Sequence, residues 1–249
     1  MTNGAVPTTN GGKAVFEEDP VIWLRNLGHL NAECSTFGTI ETQMRNAGAF
    51  NQMYSFNSNI GKTFNGGLTL YNLDHCFITA MANVMRYWRP ICCPNYPANY
   101  DDLFETLCKK ARDLGYFDPS FKTTTSSHSY YNGSSTRVLL DVNSAYSYTG
   151  KTYVAQNSWS FLTKYIKNYS WPVILSFEEA ELGGSFAYVN HAVVAFGYTI
   201  MNTDTFGVKA TFKFVKVTDG WETTPKYIAW DVIDYYEFPA KMVTFCPYQ

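Results

Sequence analysis

Residues 76–88 read CFITAMANVMRYW, and their apolar side chains recur with a helical period. Phe77, Ile78, Met81, Val84, Met85 and Trp88 fall at i, i+3 and i+4 spacings, which makes one wide apolar stripe. Such a stripe commits the chain to burying a whole helix against a second layer. Asp74 stands at the N-cap position and Pro90 follows the end. Cys76 falls in the first turn, where unpaired N–H groups and the helix dipole favour negative charge. Two readings of that thiol follow. It is a small core residue, as a cysteine in an apolar helix most often is. Or the helix lowers its pKa from about 8.5 toward about 3.5–7.5 and makes it a thiolate.

A second helix is predicted through YDDLFETLCKKARDLGYF, with Asp101 and Asp102 in its first turn and Lys109, Lys110 and Arg112 near its end. Gly115 is its stop, and Cys108 reads as core. Residues 1–15 read as a flexible leader, and 16–65 as an N-terminal extension or pro-segment-like region. The latter has a short helix about residues 21–30 and then Gly/Asn/Ser-rich loops. Residues 118–137 are rich in Ser and Thr and read as a long surface loop. YSYTGKTYV alternates around Thr149-Gly150 and predicts a hairpin. SWSFLTKYIKNYSW predicts a helix with Trp159, Leu162, Tyr165 and Ile166 inward.

Five strand-like runs follow: PVILSF, HAVVAFGYT, ATFKFVKV, KYIAWDVI and KMVTF. Helices first and strands later predict an α+β fold in two packed halves with a cleft between them. One domain then spans 66–249, its helical lobe at 66–117 and its mainly β lobe at 118–249.

A net charge of −2 with no Lys/Arg block argues against a nucleic-acid partner. No apolar run approaches the roughly 20 residues of a membrane helix. The N-terminus, MTNGAVPTTNGGK, lacks the basic and apolar regions of a signal peptide, as a mature exported form also would. Only 16% of residues are charged, while Tyr, Asn, Thr and Ser abound, so the expectation is a secreted or cell-surface protein. The six cysteines, Cys34, Cys76, Cys92, Cys93, Cys108 and Cys246, form no CxxC pair. That disfavours a zinc ribbon or a dense disulfide framework. His75, Cys76, Cys92 and Cys93 lack metal-ligand spacing, and neither a metal nor a cofactor is expected. Nothing in the sequence speaks to oligomeric state.

A nucleophilic cysteine needs a histidine to move protons and a third group to hold that ring in the useful tautomer. His191 opens one strand-like run and Asp219 follows another. Singly, a histidine beside a Val/Val/Phe strand is an ordinary structural residue, and Asp219 before Gly220 is an ordinary turn residue. His75 points about 100° away from its neighbour Cys76 and reads as a cleft-edge residue. His29 and His128 lie in unpatterned context.

Cysteine on a helix, then histidine on a strand, then Asn/Asp ahead of a Trp is an order that resembles the papain-like cysteine peptidases. CFITAMANVMRYW is similar to the catalytic-helix motif of the bacterial streptopain-type and double-glycine-leader-type (bacteriocin-processing) peptidases. WPVILSF, NHAVVAFGYT and FKFVKVTDGW resemble their text from the strand before the histidine to the Asn/Asp-x-Trp turn. The resemblance covers residues 71–90 and 157–222. It implies a papain-like two-lobed α+β fold and a bacterial cysteine endopeptidase acting on protein or peptide substrates. Cys76 would be the nucleophile, His191 the general acid/base, Asp219 the orienting group and Trp221 the ring that shields the His–Asp pair. Thr218 is one residue out of register with the Trp for that orienting role.

One position departs from the pattern. Papain-like enzymes carry a Gln about six residues before the cysteine as an oxyanion donor, and here that residue is Leu70. Losing such a donor costs roughly 2.7–4 kcal/mol. Asn72 is the nearest side-chain amide. KTFNG ahead of the cysteine helix is similar to the immunoglobulin-degrading streptococcal peptidases, in which a lysine serves the oxyanion hole, which makes Lys62 a second candidate at a longer spacing to Cys76. Two alternatives keep the same residues: an acyltransferase or deamidase using this triad, and a catalytically inactive surface binding module.

Overall fold

The apolar stripe is a helix, α3 (Cys76–Trp88), and every residue in it except Arg86 is buried. The structure, a computed structural model, describes residues 15–52, 63–69, 76–115, 135–177, 191–236 and 240–248. Against α3 lies a second helix, α4 (Tyr100–Asp113), capped by the Asn99 side chain on the Asp101 N–H. Burying Ile78, Met81 and Met85 contributes roughly 1.5–3 kcal/mol each.

The layer beneath is one antiparallel sheet. Its strands are β1 (Val15–Phe16), β2 (Ala32–Thr39), β3 (Thr149–Gln156), β4 (Val173–Phe177), β5 (His191–Thr205), β6 (Val208–Thr218), β7 (Lys226–Ala229) and β8 (Ala240–Tyr248). They run in the order β1-β7-β6-β5-β4-β8-β3, and β2 pairs with the far half of β5. Alternation along β5 divides the core. Ala192, Val194 and Phe196 pack with α3, whereas Val193 and Ala195 face the opposite layer. That second layer holds α1 (Pro20–Asn26), α6 (Trp159–Thr163), the π-helical turn that continues α6 to Tyr169, and α7 (Trp230–Tyr236). The fold is α+β, as expected.

Several local expectations need correction. KYIAWDVI is not one strand: β7 ends at Ala229 and α7 begins at Trp230. Trp230 and Ile233, three apart, are buried together, so the run changes from a period of two to a helical one. YSYTGKTYV is not a hairpin. Tyr146 follows a helix, α5 (Ser135–Ala145), and Thr149-Gly150 lies inside β3 opposite Tyr248 and Pro247. Gly150 serves close approach, because a Cβ there would stand 2.9 Å from both Asn143 Nδ2 and the Phe245 ring. Residues 32–46, read as loop, form β2 and α2 (Glu41–Asn46). β2 escapes a hydrophobic reading because most of it is exposed. Most of the predicted 118–137 loop lies outside the described residues, although α5 begins within it. Among the described residues no helix is long and apolar enough to cross a membrane.

The approach to α3 is pinned by a buried acid. Glu105 on α4 accepts from the Gly66 and Leu68 N–H groups at 2.8 and 2.9 Å, with Lys109 Nζ at 3.1 Å. Burial alone would raise its pKa, but those two N–H groups and the ammonium outweigh burial and lower it. Glu105→Ala would leave two amides without their acceptor and is expected to lower the unfolding free energy by about 2–3 kcal/mol. Urea titration of wild type and variant measures this, and equal midpoints would show that the bend of residues 63–69 stands without Glu105.

Candidate active site

α3 and His191 meet the sheet at the same end. At the far end of the helix, Trp88 packs edge-on against Trp171, and Tyr87 Oη donates to the Ser170 carbonyl, both just before β4. β4 then runs to Phe177, which pairs with His191, and α3 packs on both β4 and β5. A 13-residue helix and a five-residue strand both span roughly 17–20 Å. The head of α3, Cys76, therefore lies toward the end where β5 begins.

A second link comes from residues 51–52. Asn83 on α3 is buried, its Oδ1 accepting from Asn51 N and Nδ2 at 2.9 Å and its Nδ2 donating to Asn51 O at 3.1 Å. Seven residues apart, Asn83 and Cys76 share a helix face. The next residue, Gln52, donates through Nε2 to the Trp221 carbonyl at 3.1 Å.

Around His191 the geometry is defined. The last β5–β6 pair is Val194 with Thr218, and His191 and Trp221 each lie three residues beyond it. The two rings stack, centroids 4.3 Å apart and planes at 24°. The chain gets there through a turn at Asp219–Gly220, where φ of +74° at Gly220 calls for glycine. Asp219 Oδ1 closes that turn by accepting from Trp221 N at 2.9 Å and Glu222 N at 3.2 Å. His191 Nε2 lies 2.7 Å from the Asp219 main-chain carbonyl. A carbonyl oxygen only accepts, so Nε2 carries the proton and, in the neutral ring, the basic lone pair is on Nδ1.

Asp219 thus meets the ring through its backbone, while its carboxylate bonds the turn and lies 3.4 Å from Lys226 Nζ. Nothing in the sequence marks Lys226, the first residue of β7, as part of this cluster. Of the other expected residues, Trp221 stacks on His191 and Thr218 is buried at the end of β6. Lys62, Leu70, Asn72, Asp74, His75 and His128 lie outside the described residues.

Cys76 is buried and in no disulfide. Burial pushes Cys93 up to about 12 and Cys246 up to about 11, and raises Cys92 and Cys108 as well. Cys34, by contrast, is exposed. Among the described residues no group of His, Cys, Asp or Glu is arranged to hold a metal ion.

Residues 48–237 match the Peptidase_C39 like family, and the chain belongs to it. That membership relates it to the papain-like cysteine peptidases. No curated protein matches the chain.

Burial lowers the His191 pKa from 6.5 to about 4, against the opposing pull of the Asp219 carbonyl bond and charge. Below pH 6.5 the unfolded chain binds a proton that the folded chain refuses until about pH 4. Stability should fall across that window and level off below it, by about 3 kcal/mol at roughly 1.4 kcal/mol per pH unit. Chemical denaturation between pH 7 and 4 tests this, since His191→Gln should remove that part of the acid sensitivity. Parallel curves for the two proteins would refute it.

Proposed function

We propose that the chain is a cysteine endopeptidase with Cys76 as nucleophile, His191 as general acid/base and Asp219 as the group that orients the ring. The observation carrying this reading is the Nε2–H bond to Asp219, which leaves Nδ1 as the basic nitrogen at the end of the sheet where α3 begins. The Cys76 thiol passes its proton to Nδ1, and the thiolate, favoured by the helix N-terminus, attacks the scissile carbonyl. The oxyanion is met by the Cys76 amide and by a further donor, with Asn72 and Lys62 as the side-chain candidates. As the intermediate collapses, the imidazolium protonates the leaving amine and the acyl-enzyme remains. His191 then takes a proton from water, hydroxide adds to the thioester, and the thiolate leaves. A protein or peptide substrate and a bacterial, secreted or cell-surface setting complete the proposal, with streptopain-type or bacteriocin-processing enzymes as the branch it resembles.

One observation favours a second reading, a family member without catalysis. Alternation sets His191 in phase with Val193 and Ala195, on the side of β5 away from α3. The proposed chemistry then depends on the ring reaching around the strand end, where β5 begins.

Mass spectrometry of a broad protein mixture separates the readings. Endopeptidase action should produce new N-termini with wild type, none with Cys76→Ala, and about 10²–10⁴-fold fewer with His191→Ala. Crosslinks or released ammonia would mark the acyltransferase or deamidase alternative. Identical products from wild type and Cys76→Ala would leave the non-catalytic reading.

A further inference from the structure

The cluster beneath His191 contains one cation that the mechanism above does not use. Lys226 opens β7, its side chain 15% exposed, and three carboxylates surround its Nζ. Asp219 Oδ2 lies at 3.4 Å, Glu17 Oε1 at 3.5 Å and Glu222 Oε2 at 3.7 Å. The acids differ sharply in setting. The Asp219 side chain is fully buried, whereas Glu17 and Glu222 are about half exposed, so water screens the latter two. An ammonium beside a buried carboxylate is the consequential contact of the three.

We infer that Lys226 is a positioning residue for His191. Its ammonium anchors the Asp219 carboxylate, which keeps the Asp219–Gly220–Trp221 turn presenting its carbonyl to the ring and offsets part of the negative charge there. This rests on reading His191 as the acid/base. The consequence concerns how the ring titrates. Papain-like logic places an orienting group on the imidazole, and a bare aspartate in that place would favour the imidazolium. Here the aspartate carries its own counter-ion, and its main-chain carbonyl accepts from the ring. Burial keeps the resting imidazole uncharged, and the ammonium weakens the opposing pull of the Asp219 charge.

Among the described residues, the charged and titratable groups around the ring are few. They are Asp219 after β6, Glu222 in the turn, Lys226 on β7 and Glu17 beside β1 acting through Lys226, while α3 carries the Cys76 thiol at its head. β4 contributes Phe177 opposite His191. β1 also ties this cluster to the N-terminal region, because Val15 and Phe16 pair with Ile228 and Tyr227 just beyond Lys226.

Histidine-selective NMR titration tests the inference directly, with His191 assigned by its loss in His191→Gln. Lys226→Met should raise the His191 midpoint by at least about one pH unit, while Lys226→Arg should keep the wild-type value. A folded Lys226→Met protein with an unmoved midpoint would overturn the inference. If Lys226→Met alone does not fold, the double variant Lys226→Met with Asp219→Asn removes both charges and should titrate as wild type. A raised midpoint in that double variant would overturn the inference as well. Cys76 alkylation, followed in the same proteins, reports separately on the peptidase reading. A His191 response to Lys226→Met with an inert Cys76 would sink the peptidase and leave the charge pairing standing.

Discussion

Packing of α3 across β4 and β5 is the contact on which everything else hangs. It buries nearly the whole helix against Ile174, Ala192, Val194 and Phe196, and it fixes the helix lengthwise along the strands. Trp88 against Trp171 anchors one end. The opposite end is left where β5 starts, so a core-packing requirement decides where a first-turn cysteine and a first-residue histidine are found. Cys76 is part of the buried cluster and stands at the head of the helix.

The second constraint is the turn after β6. It has to reverse the chain, place Trp221 on the imidazole and turn a carbonyl toward Nε2. A glycine with positive φ and an aspartate that accepts two following N–H groups accomplish this. Lys226 then offsets the cost of the buried carboxylate. Burial keeps the imidazole neutral, and the carbonyl bond fixes its tautomer. In the proposed mechanism the negative charge of the Cys76 thiolate favours the protonated ring.

Legibility in the sequence followed the strength of each local signal. The α3 stripe, the capped α4 and the apolar runs of β4, β5, β6 and β8 were plain from their periods. β2 was hidden because Cys34 and Phe37 face outward, and α7 because Trp230 follows β7 without a break. The glycine of Thr149-Gly150 suggested a turn when its absent side chain in fact makes room for Asn143 and Phe245. At the site, residue identities were readable but atoms were not. Sequence order pointed to Asp219 beside His191, yet could not tell that its carbonyl would make the contact. Nor could it reveal Lys226, which nears Asp219 only because β7 pairs with β6.

In the proposed site the head of α3 and the His191 ring together make Cys76 a better nucleophile than an ordinary thiol. Peptide-mapped iodoacetamide labelling at pH 6 measures this most directly, because exposed Cys34 supplies an internal reference in the same chain. Cys76 should react at least about tenfold faster than Cys34 despite its burial, and His191→Ala should abolish the advantage. Cys76 labelling no faster than Cys34, or unaffected by removal of His191, would show that neither the helix head nor the ring activates the thiol.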